Sequence, residues 1–433
     1  MTSSTPTECF VYITLPGATE PVTAGRYSLT EDRRGGPEGR FVYGRSYLGR
    51  PDAVPLDPIE LKLAPRVYTT NALNGVFGAL RDASPDYWGR RIIERSLGQA
   101  RLSELQYLLN SADDRAGALG FGLNQAPPAP RRAFNQTLDL EKLQSIAATL
   151  IENEDVPNDA IRAGVRTQVE NLMLIGTSMG GARPKAVVEN KDGLWIAKFN
   201  RPDDAWNSAR VEHAMLMLAR ACDIATADSR VVDVAGRDVL LVKRFDRQRV
   251  GKDPSAGYMR ARMISALTLL RAEDTHRSRE RWSYVLLVEE LRRASAVPTI
   301  DAIELFRRMC FNALISNVDD HPRNHALIAR ARDWTLSPAY DLTPSVPVSF
   351  ERRDLAMACG DQGRHASAAN LLSQSARFLL KPEEASGIVE AIEQRVRRSW
   401  YATVRKAGVS ERDCERIARA FAYPGFRQTR QGA

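Results

Sequence analysis

Cysteine is scarce in this 433-residue chain. There are five, at Cys9, Cys222, Cys310, Cys359 and Cys414, and they are odd in number, scattered and never spaced as CxxC. That argues against a zinc ribbon or a disulfide framework and for reduced thiols in a cytoplasm. Long apolar runs are missing as well: nothing approaches the ~20 uninterrupted apolar residues of a membrane span. The opening MTSSTPTECF has neither a basic nor an apolar region of the kind that begins a signal peptide, so none is expected. Internal repeats and low-complexity tracts are absent too. The composition that remains, 43% hydrophobic and 26% charged, is that of an ordinary globular protein. The length suits roughly two or three domains.

Charge leans basic, with 61 Lys+Arg against 53 Asp+Glu and a net of +8. Residues 390–433 hold ten Lys/Arg against five Asp/Glu. A basic face of this kind attracts nucleic acid or an acidic partner, or is simply a solvated helix surface. Charge alone does not choose.

Along the chain, CFVYITL and GRFVYGRSYL read as strands, the second ended by the Pro- and Gly-rich GRPDAVPLDP. GVFGALRDASPDYWGRRIIERSL starts helical, breaks at Ser84-Pro85 and resumes. NQAPPAPRRAFNQ is the clearest linker, and a short helix is expected at Leu140 to Glu152. From Asn171 to Arg247 strands dominate, with a pair around Ala235-Gly236. A helix between them carries Val211, Met215, Leu218 and Cys222 on one face. After Gly257 nearly every segment reads helical. One such helix has a cap-like Asp301 with Glu304 three residues on.

Three constellations carry chemistry. GTSMGGARPK, Gly176 to Lys185, lies between two apolar strand candidates. Its backbone at Gly180, Gly181 and Ala182 could cradle a phosphate, with Arg183 and Lys185 adding positive charge; equally, it could be a hairpin turn. It has neither Walker A nor GxGxxG spacing. In LWIAKFN, Lys198 interrupts an apolar strand, so it either snorkels to water or meets an anion. Kinases use such a strand lysine on the nucleotide phosphates, oriented by a helix glutamate, and Glu212 is a fitting partner.

The third is SNVDDHPRNHALIARARDWTLSPAYDLTPS. Asp319 and Asn324 stand in the D-x-x-x-x-N spacing of kinase catalytic loops, and Asp341 follows seventeen residues later, like the second magnesium aspartate. Asn324 and Asp341 would supply the oxygen ligands Mg²⁺ demands. A transition-metal trio of Asp319, His321 and His325 competes, but Pro322 disfavours a regular helix presenting both histidines.

With SMGGARPK, KRFDR, NVDDHPRNH and LSPAYDLTPS in that order, the chain resembles the HipA family of toxin serine/threonine kinases over most of its length. The resemblance implies an α+β, protein-kinase-like two-lobed fold. Its parts would be an α/β subdomain at 1–125, a strand-rich nucleotide lobe with the Gly-rich loop at 126–248, and an all-helical lobe with the catalytic loop at 249–433, with ATP between the lobes. It implies Asp319 as catalytic base, Asn324 and Asp341 as Mg²⁺ ligands, and Lys198 as the phosphate lysine. It also implies a hinge at Val242 to Phe245 that meets adenine through backbone groups and the Phe245 ring. Lys243 departs from the acidic residue expected there. His321 and Pro322 would shape the loop, His321 by hydrogen-bonding backbone near the magnesium; Asp320 and His325 acquire no role. Ser178, with Thr177 adjacent, matches a loop serine whose autophosphorylation shuts the enzyme off. The expected partners are a protein substrate with a Ser/Thr acceptor, a HipB-like helix-turn-helix antitoxin and, through it, operator DNA. Some members phosphorylate aminoacyl-tRNA synthetases, so growth arrest and persistence are the implied outcomes. Alternatives are a small-molecule or lipid kinase, or a DNA-bound co-repressor with a vestigial kinase site.

Overall fold

The structure, a computed structural model, describes residues 6–100, 102–132, 134–152, 183–251, 253, 256–346 and 349–427. The chain forms two compact units. One comprises Met1–Arg201, Lys243–Ile264 and Ile328–Asp333, the other Pro202–Val242, Ser265–Leu327 and Trp334–Ala433.

In the first unit, β1 (Glu8–Thr14) is the CFVYIT run, and it sits in a five-stranded antiparallel sheet. Its neighbours are β2 (Pro21–Glu31) and β5 (Leu119–Gly122), with β3 (Pro37–Tyr43) and β4 (Val67–Thr70) beyond β2. Val11 and Ile13 are wholly buried, as β-branched residues on a packed sheet face should be. Gly39 is required: a Cβ there would stand 1.6 Å from the Gly75 carbonyl oxygen. After the Ser84-Pro85 break, Asp86 caps α1 (Tyr87–Leu97) by accepting from the Gly89 N–H at 2.7 Å. Helix α2 (Glu104–Asn110) starts with a Ser103/Gln106 capping box.

A second strand group follows in the same unit. Strand β6 (Asn135–Gln136) precedes α3 (Leu140–Glu152), and β7 (Lys185–Asn190) pairs antiparallel with β8 (Gly193–Phe199) and parallel with β6. The β7/β8 register sets Lys185 directly opposite Lys198.

The second unit opens with α4 (Ser208–Ala221), capped by Asn207, and a hairpin of β9 (Ser229–Val234) with β10 (Arg237–Lys243). Ala235 and Gly236 both have positive φ, as a two-residue hairpin turn requires. Its helices include α5 (Tyr284–Ala294), α6 (Pro298–Leu314) and α7 (Pro382–Lys406), with α6 packed on the other two. Leu305, Phe306, Met309, Cys310, Phe311 and Leu314 of α6 are fully buried.

Two expectations need correction. Asp301 is not the cap of α6. Pro298 begins the helix, and the Asp301 carboxylate accepts from the Ser295 hydroxyl (2.6 Å) and the Leu336 N–H (2.8 Å). The region after Gly257 is also not wholly helical, because Tyr258–Arg260, Arg262–Ser265 and Ala326–Ala329 are strands. At three or four residues each they are too short to show a periodicity.

Candidate active site

The SNVDDHPRNH stretch belongs to the second unit and begins where α6 ends. Ser316 takes a left-handed φ of 55° there, fixed from both sides. Its hydroxyl donates to the Ala420 carbonyl and accepts from Arg353, and its carbonyl accepts from Ser345 N–H at 3.0 Å. The loop then folds on itself. His321 N–H donates to the Asp319 carbonyl (2.7 Å), Asn324 N–H to the His321 carbonyl (2.9 Å), and Asn324 Nδ2 back to the Asp319 carbonyl (3.4 Å). Pro322 starts the single 3₁₀ turn Pro322–Asn324, where its missing N–H is no loss. The five-residue spacing is thus one compact turn. It ties the Asn324 amide to the backbone of Asp319, leaving Asn324 Oδ1 as the candidate ligand atom.

Asp341 reaches the same place by a different route. The carbonyl of Ser337 accepts from buried Arg308 at 2.6 Å, and Ala339 is bonded on both sides, to Ala225 (2.7 Å) and Ala227 (2.9 Å). Tyr340 Oη donates to the Arg323 carbonyl at 2.7 Å, bracing this segment against the loop. Asp341 itself has φ 59°, a conformation an aspartate adopts at a cost and one that concentrates at functional sites. Burial raises the Asp319 carboxyl above its ordinary value; His321 opposes this, Asp341 and Asp320 add to it, and Arg279 opposes it. These carboxylates therefore act on one another, as a site built for a cation or a proton would have them do.

The residues left without a role by sequence have one. Asp320, only 1% exposed, accepts from the Tyr284 hydroxyl and bonds His325 Nε2 at 2.8 Å. Asn312 donates to Tyr284 at 3.3 Å and accepts from Asn317 at 3.1 Å. This buried chain fixes the loop from beneath. With its Nε2 on Asp320, His325 does not assemble with Asp319 and His321 into a metal trio. His321 packs its ring edge-on to Trp282, and its Nδ1 has no hydrogen-bond partner among the described residues.

Of the other candidates, Ser178, Thr177, Gly180, Gly181 and Ala182 lie outside the described residues. Arg183, Lys198, Lys243 and Phe245 belong to the first unit and are half-buried; Glu212 is buried on α4 of the second. Lys185 Nζ lies 3.3 Å from Asp86 Oδ2, both side chains under 10% exposed. A buried ion pair between β7 and the α1 cap also keeps Lys185 from repelling Lys198 across the strands.

Arg244, Asp246 and Arg247 of the KRFDR motif form a buried network. Arg244 forks onto Asp246 at 3.0 and 2.8 Å and donates to the carbonyls of Asp114 and Arg115, both at 2.8 Å. Arg247 adds a 2.7 Å bond to Asp246, which also accepts from Gly117 N–H at 2.9 Å. Burial alone would raise Asp246, but Arg244 and Arg247 outweigh it and hold the carboxyl well below the usual range. Phe245 between them lines a small cleft of about 40 Å³ with Met259, Ala261 and Arg330, and its carbonyl accepts from Arg330 at 3.0 Å.

The donor set of the loop suits magnesium. Asn324 and Asp341 offer hard oxygens, and among the described residues no cluster of three His, Cys, Asp or Glu forms a softer site.

Comparison with known proteins agrees with this geometry. The model of the HipA-like C-terminal domain matches residues 177–400, and that of the HipA N-terminal domain matches residues 23–122. A Sinorhizobium fredii protein described as "Putative kinase Y4dM" is 27% identical over 210 residues, which is 43% of this chain and 48% of that protein. The chain thus spans about half the length of the curated relative it matches. Among solved structures, Shewanella oneidensis MR-1 HipA, in complex with HipB and its operator DNA, matches with a TM-score of 0.66. The match covers 95% of this chain and 94% of that one at 17% identity, a likeness of fold.

Proposed function

Because the chain belongs to the HipA family, we propose that it is an ATP- and Mg²⁺-dependent serine/threonine protein kinase and the toxin of a toxin–antitoxin pair. The observation that carries this is the closed turn Asp319–Asn324, braced through Tyr340 to the left-handed Asp341. Asp319 accepts the proton of the substrate hydroxyl, helped by a carboxyl whose proton affinity is already raised. Asn324 and Asp341 hold the metal, which, when bound, neutralises charge developing on the transferred phosphoryl group. Lys198 serves as the phosphate lysine, and Lys243 with Phe245 lies in the stretch that meets adenine. In the Gly-rich loop, Gly180, Gly181 and Ala182 offer backbone N–H groups. Ser178 is the proposed autophosphorylation site that turns the enzyme off.

A HipB-like helix-turn-helix antitoxin, and operator DNA through it, are the proposed partners. The fold shared with the Shewanella protein supports them.

The test is incubation with labelled ATP, Mg²⁺ and a cell lysate. Label in acid-precipitable protein is expected; label confined to small molecules would favour a small-molecule kinase instead. Intact-mass analysis of the purified chain is expected to show an 80 Da increment that Ser178→Ala removes.

A further inference from the structure

Beside the catalytic loop lies a basic segment to which no role has been given. Residues 275–281, THRSRER, hold three arginines against one glutamate, and all but the first form a short 3₁₀ helix, His276–Arg281. Two fastenings hold this segment to the loop. Asp274 accepts from Arg323 Nε at 3.0 Å at one end, and the buried Trp282 ring stands edge-on to His321, centroids 6.4 Å apart, at the other. Arg281 is used internally, donating to the Leu270 carbonyl at 2.9 Å.

Arg277 and Arg279 remain between the fastenings. Both are exposed, and no carboxylate pairs with either among the described residues. Arg279 is nonetheless held in place, its guanidinium 5.5 Å over the Trp282 ring. Its position is near the reacting group, because the Trp282 ring it covers stands edge-on to His321, two residues after Asp319. An exposed arginine is ordinarily just solvated. This one is stacked, so less side-chain freedom is lost when it meets an anion, and its planar fork matches carboxylate and phosphate.

We propose that Arg279, with Arg277 beside it, forms a subsite for an anionic group flanking the acceptor hydroxyl. The preferred substrates would then carry Asp, Glu or a phosphorylated residue near the target Ser/Thr. This rests on the protein-kinase reading above and adds a substrate class to it. The base must sit at the acceptor hydroxyl, so a cation fastened through Trp282 and His321 to the base's own loop meets what flanks that hydroxyl.

The experiment uses the full chain, labelled ATP, Mg²⁺ and a positional-scanning Ser/Thr peptide library whose flanking positions are Asp, Glu, phosphoserine, Ala or Lys. Wild type is expected to favour the acidic and phosphorylated flanks, whose relative rates tell the two apart. Arg279→Ala is expected to cut kcat/KM for acidic peptides about tenfold, as for loss of one charge-assisted hydrogen bond, through peptide KM with ATP KM unchanged. Arg279→Lys should restore much of the preference, and Arg279→Glu should shift it toward Lys flanks. A flat flank profile in wild type would overturn the proposal. So would an Arg279→Ala effect that falls on ATP KM or equally on every peptide, which would assign Arg279 to the nucleotide phosphates. If wild type labels no peptide and no protein, the kinase reading itself fails, a result distinct from a flat profile.

Discussion

KRFDR in the first unit and SNVDDHPRNH in the second are both dense with charge, but the structure treats them in opposite ways. Asp246 takes bonds from Arg244, Arg247 and Gly117, is 2% exposed, and is held below the usual carboxylate range. Asp319 accepts nothing on its carboxylate from the described residues and is held above its ordinary value. One carboxylate is closed into the fold, and the other is kept for something that arrives. Pairing, rather than residue type, separates a stabilising network from a reactive one.

Exchanging the two roles would break this comparison, and mutation tests it. Asp319→Asn should lower phosphoryl transfer about 10³-fold, within the range for loss of a general base, with an unchanged melting midpoint. Initial rates and a thermal scan check both halves. Asp246→Ala should do the reverse. It strands Arg244 and Arg247 in the interior and should lower unfolding free energy by about 3–5 kcal/mol in a urea titration.

Asp320→Asn lies between these extremes. It weakens the bonds from Tyr284 and His325, and a loss of about 1–3 kcal/mol of stability is expected together with reduced turnover. Tyr340→Phe removes only the brace to the Arg323 carbonyl. It should raise the Mg²⁺ concentration for half-maximal rate roughly fivefold, equivalent to about 1 kcal/mol, with little change in melting.

The smallest effect concerns pH. In Asp246 and Asp113, burial would raise the carboxyl, but Arg244 with Arg247, and Arg260, prevail and lower it. A depressed folded pKa gives stability that is present above the unfolded value near 4 and is lost as pH falls through the folded value. Urea midpoints of wild type should therefore fall as pH drops below about 4, and less steeply in Asp246→Asn.

Much of the local structure was legible in the sequence. The Leu140 helix, the Ala235-Gly236 hairpin and the break at Ser84-Pro85 follow from period, turn chemistry and proline, which act over a few residues. The Asp319–Asn324 turn is equally local, with Pro322 at its start, although the sequence showed only the spacing of the two residues. The rest needed partners far along the chain. The Lys185–Asp86 ion pair was not visible because Asp86 lies 99 residues earlier. The buried role of Arg244 was not visible because the carbonyls of Asp114 and Arg115 lie some 130 residues away. Asp301 looked like a cap because its acceptor role towards Leu336 is long-range. The THRSRER segment carried no reading of its own; the tryptophan that follows it was the one available signal that an arginine would be held.

The most direct test of the central claim, that the second unit's loop is a phosphotransfer centre, is single-turnover transfer of labelled γ-phosphate to lysate protein by wild type and Asp319→Asn, at a temperature where both are folded. The account predicts Mg²⁺-dependent labelling by wild type and essentially none by the variant. Equal labelling by both would contradict it.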